Sequence, residues 1–309
     1  MEILVATHKK VDYTLPANYR FMQVNCSKTG QHWSGYLHDD EGINISEKND
    51  SYCELTVLYS QWKNSHEVIK GLCHYRRFFL SLQLEEIGLM KSMRCSKSEI
   101  KKLALQQSEI VEAAQKYDML LPIPNDLYPN NGETDLLQYC YKKDIDILRS
   151  VINDDYPDYE DAFNWVMEQR FLSACNMLIA KQQIFDEYCE WLFDVLEKVE
   201  RKCDISSYDS QHKRIFGYLA EHLLNVYVKK NRLNCKYIPR VLVDEYWPLQ
   251  KGIKAFIKKS YPYKKLIQSN SAEFVIWYYK HFRKKPYHHY LMLKQYLSDR
   301  EAEQIGRER

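Results

Sequence analysis

The chain has 309 residues, 45% hydrophobic and 28% charged, a balance that excludes intrinsic disorder and suffices for one large core or two modest ones. Its 44 lysines and arginines against 42 aspartates and glutamates leave a formal charge of +2, which excludes a polyelectrolyte of either sign. Nine glycines and nine prolines are too few for an all-β chain rich in turns.

In chain order, the apolar run Glu2 to Ala6 predicts a strand ending in Thr7-His8-Lys9-Lys10, and Tyr19 to Asn25 predicts a second. Cys26 to Glu41 reads as a polar loop closing on His38-Asp39-Asp40-Glu41-Gly42. Ser46 is a good N-cap for a helix with Tyr52, Leu55, Leu58, Tyr59 and Trp62 on one face, closed by Lys63 and Asn64. Val68 to Cys73 predicts a buried strand delivering His74-Tyr75-Arg76-Arg77 to its end. Ser98 to Lys116 reads as one helix and Met119 to Ile123 as a buried strand, so the first 125 residues suggest a mostly parallel α/β sheet.

Further on, Asp135 to Asn153 and Tyr159 to Gln169 have helical spacing, and Asn176 to Ala180 reads as a strand. Two amphipathic helices follow, Gln183 to Glu200 and Gln211 to Tyr227. Cys235 to Val243 is a last strand, with Pro239 suggesting a sheet edge. From Lys251 to Lys285, lysines and arginines interleave with aromatics, a pattern that suits an anionic membrane surface or nucleic acid or, equally, a solvated helical face. No apolar run approaches the roughly 20 residues of a membrane helix. Nine cysteines without a C-x-x-C pair, and no basic n-region at Met1, point to reduced thiols in a cytosol.

Three clusters carry candidate chemistry. Thr7, His8 and Lys9 end a strand, where ligands lie in open α/β sheets, although surface residues also end strands. Asp40, Asn44, Ser46, Lys48 and Asn49 surround a helix start, a ready anion site of which capping explains one residue. His74, Tyr75, Arg76 and Arg77 place two guanidiniums at a strand end, suited to bidentate contact with a diphosphate. No glycine-rich phosphate loop and no zinc spacing occur, which leaves kinase, ATPase and NAD readings with little support. Asp144-Ile145-Asp146 lies within a predicted helix, where its two carboxylates point apart, and reads as helix surface.

Taken together, these motifs resemble a known family. Thr7-His8-Lys9, Asp40-x-Gly42-x-Asn44-Ile45-Ser46-x-Lys48-Asn49, Tyr52-Cys53-Glu54-Leu55-Thr56, Trp62-Lys63-Asn64 and Gly71-Leu72-x-His74-Tyr75-Arg76-Arg77-x-Phe79 are similar to bacterial capsular and exopolysaccharide synthesis proteins. Asn176-Met177-x-Ile179, Tyr188-Cys189-x-Trp191-Leu192-Phe193 and Arg214-x-Phe216-Gly217-Tyr218-Leu219-x-Glu221 extend the likeness over residues 1–245. That family was long filed as a domain of unknown function and is now regarded as glycosyltransferases, some associated with galactofuranose transfer.

The resemblance implies a GT-A-like fold with a single Rossmann-type domain at 1–245. Residues 1–125 would form its nucleotide-sugar half, 126–245 its acceptor half, and 246–309 a basic helical extension. It implies a nucleotide-sugar donor, foremost a UDP-sugar, and a polyprenyl-diphosphate-linked saccharide acceptor in capsule, O-antigen or exopolysaccharide synthesis. A cytoplasmic protein held peripherally on the inner membrane through residues 251–285, with no nucleic-acid partner, is the matching expectation. Thr7, His8, Lys9, Asn44, Ser46, Lys48, Asn49, His74, Tyr75, Arg76 and Arg77 would then bind the donor, with Asn176 and Arg214 on the acceptor side. Glu54, Glu221, Asp40 and Asp209 are the candidate carboxylate bases. Where many GT-A enzymes carry an Asp-x-Asp that holds manganese or magnesium, this chain has His74-Tyr75-Arg76-Arg77, which predicts a transfer without a metal held there. A non-catalytic nucleotide-sugar or saccharide binding protein of a surface-polysaccharide locus is the alternative.

Overall fold

The computed structural model describes residues 1–83, 92–244 and 284–305. Its strands are β1 (Glu2–Thr7), β2 (Tyr19–Gln23), β3 (Leu37–His38), β4 (Ile69–His74), β5 (Arg77–Phe79), β6 (Ser92–Cys95), β7 (Met119–Pro122), β8 (Asn125–Asp126), β9 (Phe171–Leu172), β10 (Leu178–Lys181), β11 (Cys235–Ile238) and β12 (Arg240–Val243). Its helices are α1 (Cys26–Thr29), α2 (Asn49–Tyr52), α3 (Leu55–Asn64), α4 (Ile100–Leu103), α5 (Gln107–Lys116), α6 (Gly132–Leu136), α7 (Lys142–Asp155), α8 (Glu160–Glu168), α9 (Gln182–Lys202), α10 (Ile215–Lys230) and α11 (Lys284–Ile305).

The main sheet runs β11-β7-β10-β4-β1-β2-β3. Neighbours are parallel except β10, which is antiparallel to both β4 and β7. Strand alternation distributes the core to both faces. Leu4, Ala6, Leu72, Met119, Leu121, Leu178 and Ala180 join the core on the side of α3, α7, α8, α9 and α10. Ile3, Val5, Cys73, Leu120 and Ile179 join the other, with Ile110 and Ala113 of α5. Both faces are buried, which is why these strands read as continuous apolar runs. The expected mostly parallel α/β architecture is the one found, and strands from before and after residue 125 share one sheet.

Several elements break where the periodicity runs on. The helix expected from Ser46 is a 3-10 turn at Ser46–Lys48, then α2, then a left-handed residue at Cys53 (φ 53°), then α3. Ser46 makes no side-chain cap. The single helix expected over 98–116 is α4 and α5, parted at Ala104, which bridges Leu80 while the Leu105 amide donates to the Phe79 carbonyl at 2.9 Å. The last strand divides at Pro239 into β11, on the sheet edge beside β7, and β12, which pairs with β5 and β6. Asp144 is buried and accepts from the Tyr208 hydroxyl at 2.7 Å, whereas Asp146 is exposed, so only one carboxylate of that pair lies on the helix surface.

No helix among the described residues is long and apolar enough to cross a membrane. Of the basic stretch expected at a membrane surface, residues 251–283 lie outside the described ones. Helix α11 contacts the domain through Tyr296 on Phe171, with ring centroids 5.1 Å apart, and the Arg300 guanidinium 5.3 Å from the Trp165 ring.

Gly71 sits in β4 between β1 and β10. A Cβ there would lie 2.7 Å from Ile179 Cγ1, 2.8 Å from the Leu178 carbonyl oxygen and 2.9 Å from Ile3 Cδ1. Gly71→Ala is expected to cost about 2 kcal/mol, seen as a lower urea midpoint with unchanged slope. An unchanged midpoint would contradict this packing.

Candidate active site

Strands β1 and β4 are adjacent and parallel, with Ala6 opposite His74. Thr7-His8 and His74-Tyr75 therefore leave the sheet side by side at its carboxyl edge, and the Tyr75 amide donates to the Ala6 carbonyl at 3.0 Å. The chain turns at Tyr75-Arg76 and returns as β5, whose Arg77 pairs with His74. This reversal leaves both arginines exposed over a cleft of about 1010 Å³. Arg76, Arg77, Arg94, Lys213 and Arg214 line it, five permanent cations against the three carboxylates Asp50, Glu54 and Asp244. Two of the five have carboxylate partners within the cleft: Arg94 Nη1 bonds Asp244 at 2.7 Å, and Lys213 Nζ lies 3.9 Å from Asp50.

Tyr75 is clamped from several sides. The His8 ring meets it edge-on at 5.0 Å, Lys9 Nζ lies 5.2 Å from its ring centroid, and the Tyr13 hydroxyl donates to its carbonyl. Burial lowers the His8 pKa, and the positive charges of Lys9, Arg214 and Arg76 lower it further. Burial likewise lowers His74, against the pull of Glu54. His74 Nε2 donates to the Cys175 carbonyl at 2.6 Å, so the neutral ring carries its proton there and leaves Nδ1 as an acceptor.

Beneath the arginines lies a pair of carboxylates. Glu54 Oε1 accepts from Asn176 Nδ2 at 2.8 Å and lies 3.9 Å from His74 Nε2. Asn176 also donates to the Gly217 carbonyl at 3.0 Å, which ties α10 to the group. Cys175 and Asn176 are both left-handed (φ 78° and 49°), strain that side-chain-bearing residues adopt only where surroundings enforce it. Burial, and then the neighbouring Glu54 charge, push Glu221 up to about 7, while the Cys175 amide, Arg77 and Arg240 pull the other way. Burial also pushes the cleft-lining Cys53 thiol up to about 11, although it accepts from Arg214 Nε at 3.2 Å. A carboxylic acid that titrates near neutrality beside a second carboxylate is an arrangement suited to proton transfer.

Of the residues singled out from sequence, Thr7, His8, Asn49, Glu54, His74, Tyr75, Arg76, Arg77 and Arg214 line the cleft together. Arg214, expected on the acceptor side, shares this wall with Arg76, close enough that both act on His8. Asp40 is placed elsewhere, its carboxylate 2.9 and 3.1 Å from His32 Nε2. Lys48 turns away to bond Glu200 at 2.5 Å and lines a separate aromatic groove. Asn44 braces its own loop through the Asp40 and Gly42 carbonyls, and Ser46 Oγ donates to buried Asp39 at 2.6 Å. Asp209 accepts from the Gln211 and His212 amides in its own turn. Arg94, Lys213 and Asp244 were missed. Arg94 lies on β6, a four-residue strand that no periodicity announces, and joins the cleft only through pairing with β12.

Among the described residues, no three His, Cys, Asp or Glu side chains converge in the cleft as a metal site would require; the group that does converge is Cys26, His32 and Asp40, outside it.

Between about pH 4.5 and 7 the folded protein binds the Glu221 proton more tightly than the unfolded chain, so this group makes stability fall as pH rises through that window. Glu221→Gln is therefore expected to raise Tm at pH 8, by removing a cost of at most about 3 kcal/mol, and to leave it unchanged at pH 4. Equal shifts at both pH values in thermal melts would contradict the assignment.

Comparison with known proteins bears on this geometry. No curated protein matches the chain. The apo structure of the WbbM bifunctional glycosyltransferase matches with a TM-score of 0.72 and 28% sequence identity, over 79% of this chain and 45% of that one. The chain thus spans less than half of that protein's length. A family model, described as a domain of unknown function (DUF4422), matches residues 2–232, from the first strand through the end of α10. That match takes in most of the chain and every element that builds the cleft except β12 and its flank: the protein belongs to the DUF4422 family.

Proposed function

We propose that the chain is a GT-A-type glycosyltransferase that moves a sugar from a nucleotide-sugar donor to a saccharide acceptor. The observation that carries this reading is the paired-arginine turn, Arg76-Arg77, at the carboxyl end of β4, facing a cleft with Thr7 and His8 at the end of β1. The likeness to a bifunctional glycosyltransferase supports it. A UDP-sugar is the leading donor, with galactofuranose as its sugar, and a polyprenyl-diphosphate-linked saccharide the acceptor. Membrane docking through residues 251–285 belongs to the same proposal.

In this reading the nucleotide lies against Thr7, His8 and Tyr75, and Arg76, Arg77 and Arg214 receive the diphosphate. Fixed guanidinium charge stabilises the negative charge that develops on the leaving diphosphate as the glycosidic bond breaks. The manganese or magnesium familiar in GT-A enzymes does not fit the cleft residues, because arginines stand where its carboxylate ligands would be and, among the described residues, no three ligating side chains converge there. An inverting transfer needs a base for the acceptor hydroxyl. Glu54 reaches the cleft and is oriented by Asn176, and its charge helps raise the pKa of Glu221 behind it.

Transfer assays on purified variants test this. Arg76→Ala or Arg77→Ala is expected to lower donor affinity about 10- to 100-fold, the worth of a charge-assisted hydrogen bond. Glu54→Gln is expected to lower turnover at least about 100-fold with donor affinity retained. Activity abolished by chelator and restored by manganese would overturn the metal-free diphosphate site.

A further inference from the structure

We propose that Cys26, His32 and Asp40 form a binding site for one divalent cation of borderline softness, zinc foremost, separate from the donor cleft. The Cys26 thiol, an imidazole nitrogen of His32 and a carboxylate oxygen of Asp40 lie within 4.8 Å of one another. Thiolate, imidazole and carboxylate form a donor set that zinc accepts in tetrahedral sites, with bonds of about 2.0–2.3 Å. The spacing, Cys-x5-His-x7-Asp, matches no zinc signature, which is why the sequence does not announce it.

Each ligand is held in place by something other than a metal. The Cys26 amide donates to Asp39 Oδ1 at 3.1 Å, and Cys26 is fully buried at the start of α1. Gln23 grips both neighbours of His32, donating to the Gln31 carbonyl at 2.7 Å and accepting from the Trp33 amide at 2.8 Å. The His32 ring stacks on His38, with centroids 4.4 Å apart and planes 29° apart. His38 itself engages Glu41 and the Trp33 carbonyl through its two nitrogens, so it supports the site and does not ligate. Asn44 fixes the backbone of Asp40.

Charge also favours a cation. Asp39 bonds only neutral donors, and Asp40 bonds only His32 with its side chain; among the described residues neither pairs with a lysine or arginine. On binding, the Cys26 thiol gives its proton to solvent, and the His32 proton moves from Nε2 to Nδ1 as Nε2 takes the metal. A solvent molecule completes the coordination. The ion would tie the loop after β2 to the end of β3, the segment from which Val24 lines the cleft.

The metal-stripped protein titrated with Co²⁺ and, separately, Zn²⁺ tests the site. Expected are one equivalent of zinc retained after dialysis, a Tm rise of about 3 °C or more, and an intense thiolate-to-cobalt absorption in the near ultraviolet. Cys26→Ser and His32→Ala should each lose the absorption and the Tm rise. Cys203→Ser, at the end of α9, should keep both. Because His32 is half exposed, its variant tests the proposal even if replacing buried Cys26 prevents folding. Cobalt binding without thiolate absorption, an absorption that survives His32→Ala, or one that Cys203→Ser abolishes would overturn the assignment.

Discussion

The wall of the cleft depends on one buried carboxylate. Asp39, fully inaccessible to solvent, accepts from the Asn25 amide at 3.0 Å, the Cys26 amide at 3.1 Å, Ser46 Oγ at 2.6 Å and Thr56 Oγ1 at 2.8 Å. These four bonds join α1, the 3-10 turn at Ser46–Lys48 and the first turn of α3, three segments with no sheet pairing among them. A buried charge without such donors would be costly, and hydrogen bonds to a charged group contribute about 1.5–3 kcal/mol each. The polar cluster before α2 is thus divided by function. Ser46 is consumed in holding the wall together, and Asn49, anchored on the Cys53 carbonyl and Thr56, is presented to the cleft.

Against this wall stands the end of β4. A single strand would send alternate residues to opposite faces, and only one of Arg76 and Arg77 would face the cleft. The reversal into β5 removes that restriction by placing Arg76 in the turn and Arg77 on the returning strand. Below them, the left-handed pair Cys175-Asn176 brings one carbonyl to His74 and one amide side chain to Glu54. That strained pair thus holds Glu54 in the same cleft that the arginines flank.

How much of this was legible in sequence follows from how local each determinant is. The central strands β1, β4, β7 and β10 were readable because burial on both faces makes them uninterrupted apolar runs, and α9 because its apolar stripe persists over five turns. With those placed, Thr7, His8 and His74 to Arg77 had to emerge at one sheet edge. The breaks at Cys53 and Ala104 were not readable, because each depends on a distant partner: Arg214 beside Cys53, Leu80 beside Ala104. Lys48 and Asp40 escaped for the same reason, since Glu200 and His32 decide where their side chains turn. Strand β6, four residues long, is defined by pairing with β12 across the chain and brings Arg94 to its partner Asp244.

The central claim is that fixed guanidinium charge recognises a diphosphate in this cleft. Calorimetric titration of UDP and of uridine, each with chelator present, tests it most directly. The account predicts that UDP binds at least about 100-fold more tightly than uridine, as two charge-assisted contacts require, and that chelator leaves this ratio unchanged. Equal affinity for the two, or UDP binding that chelator eliminates, would contradict it.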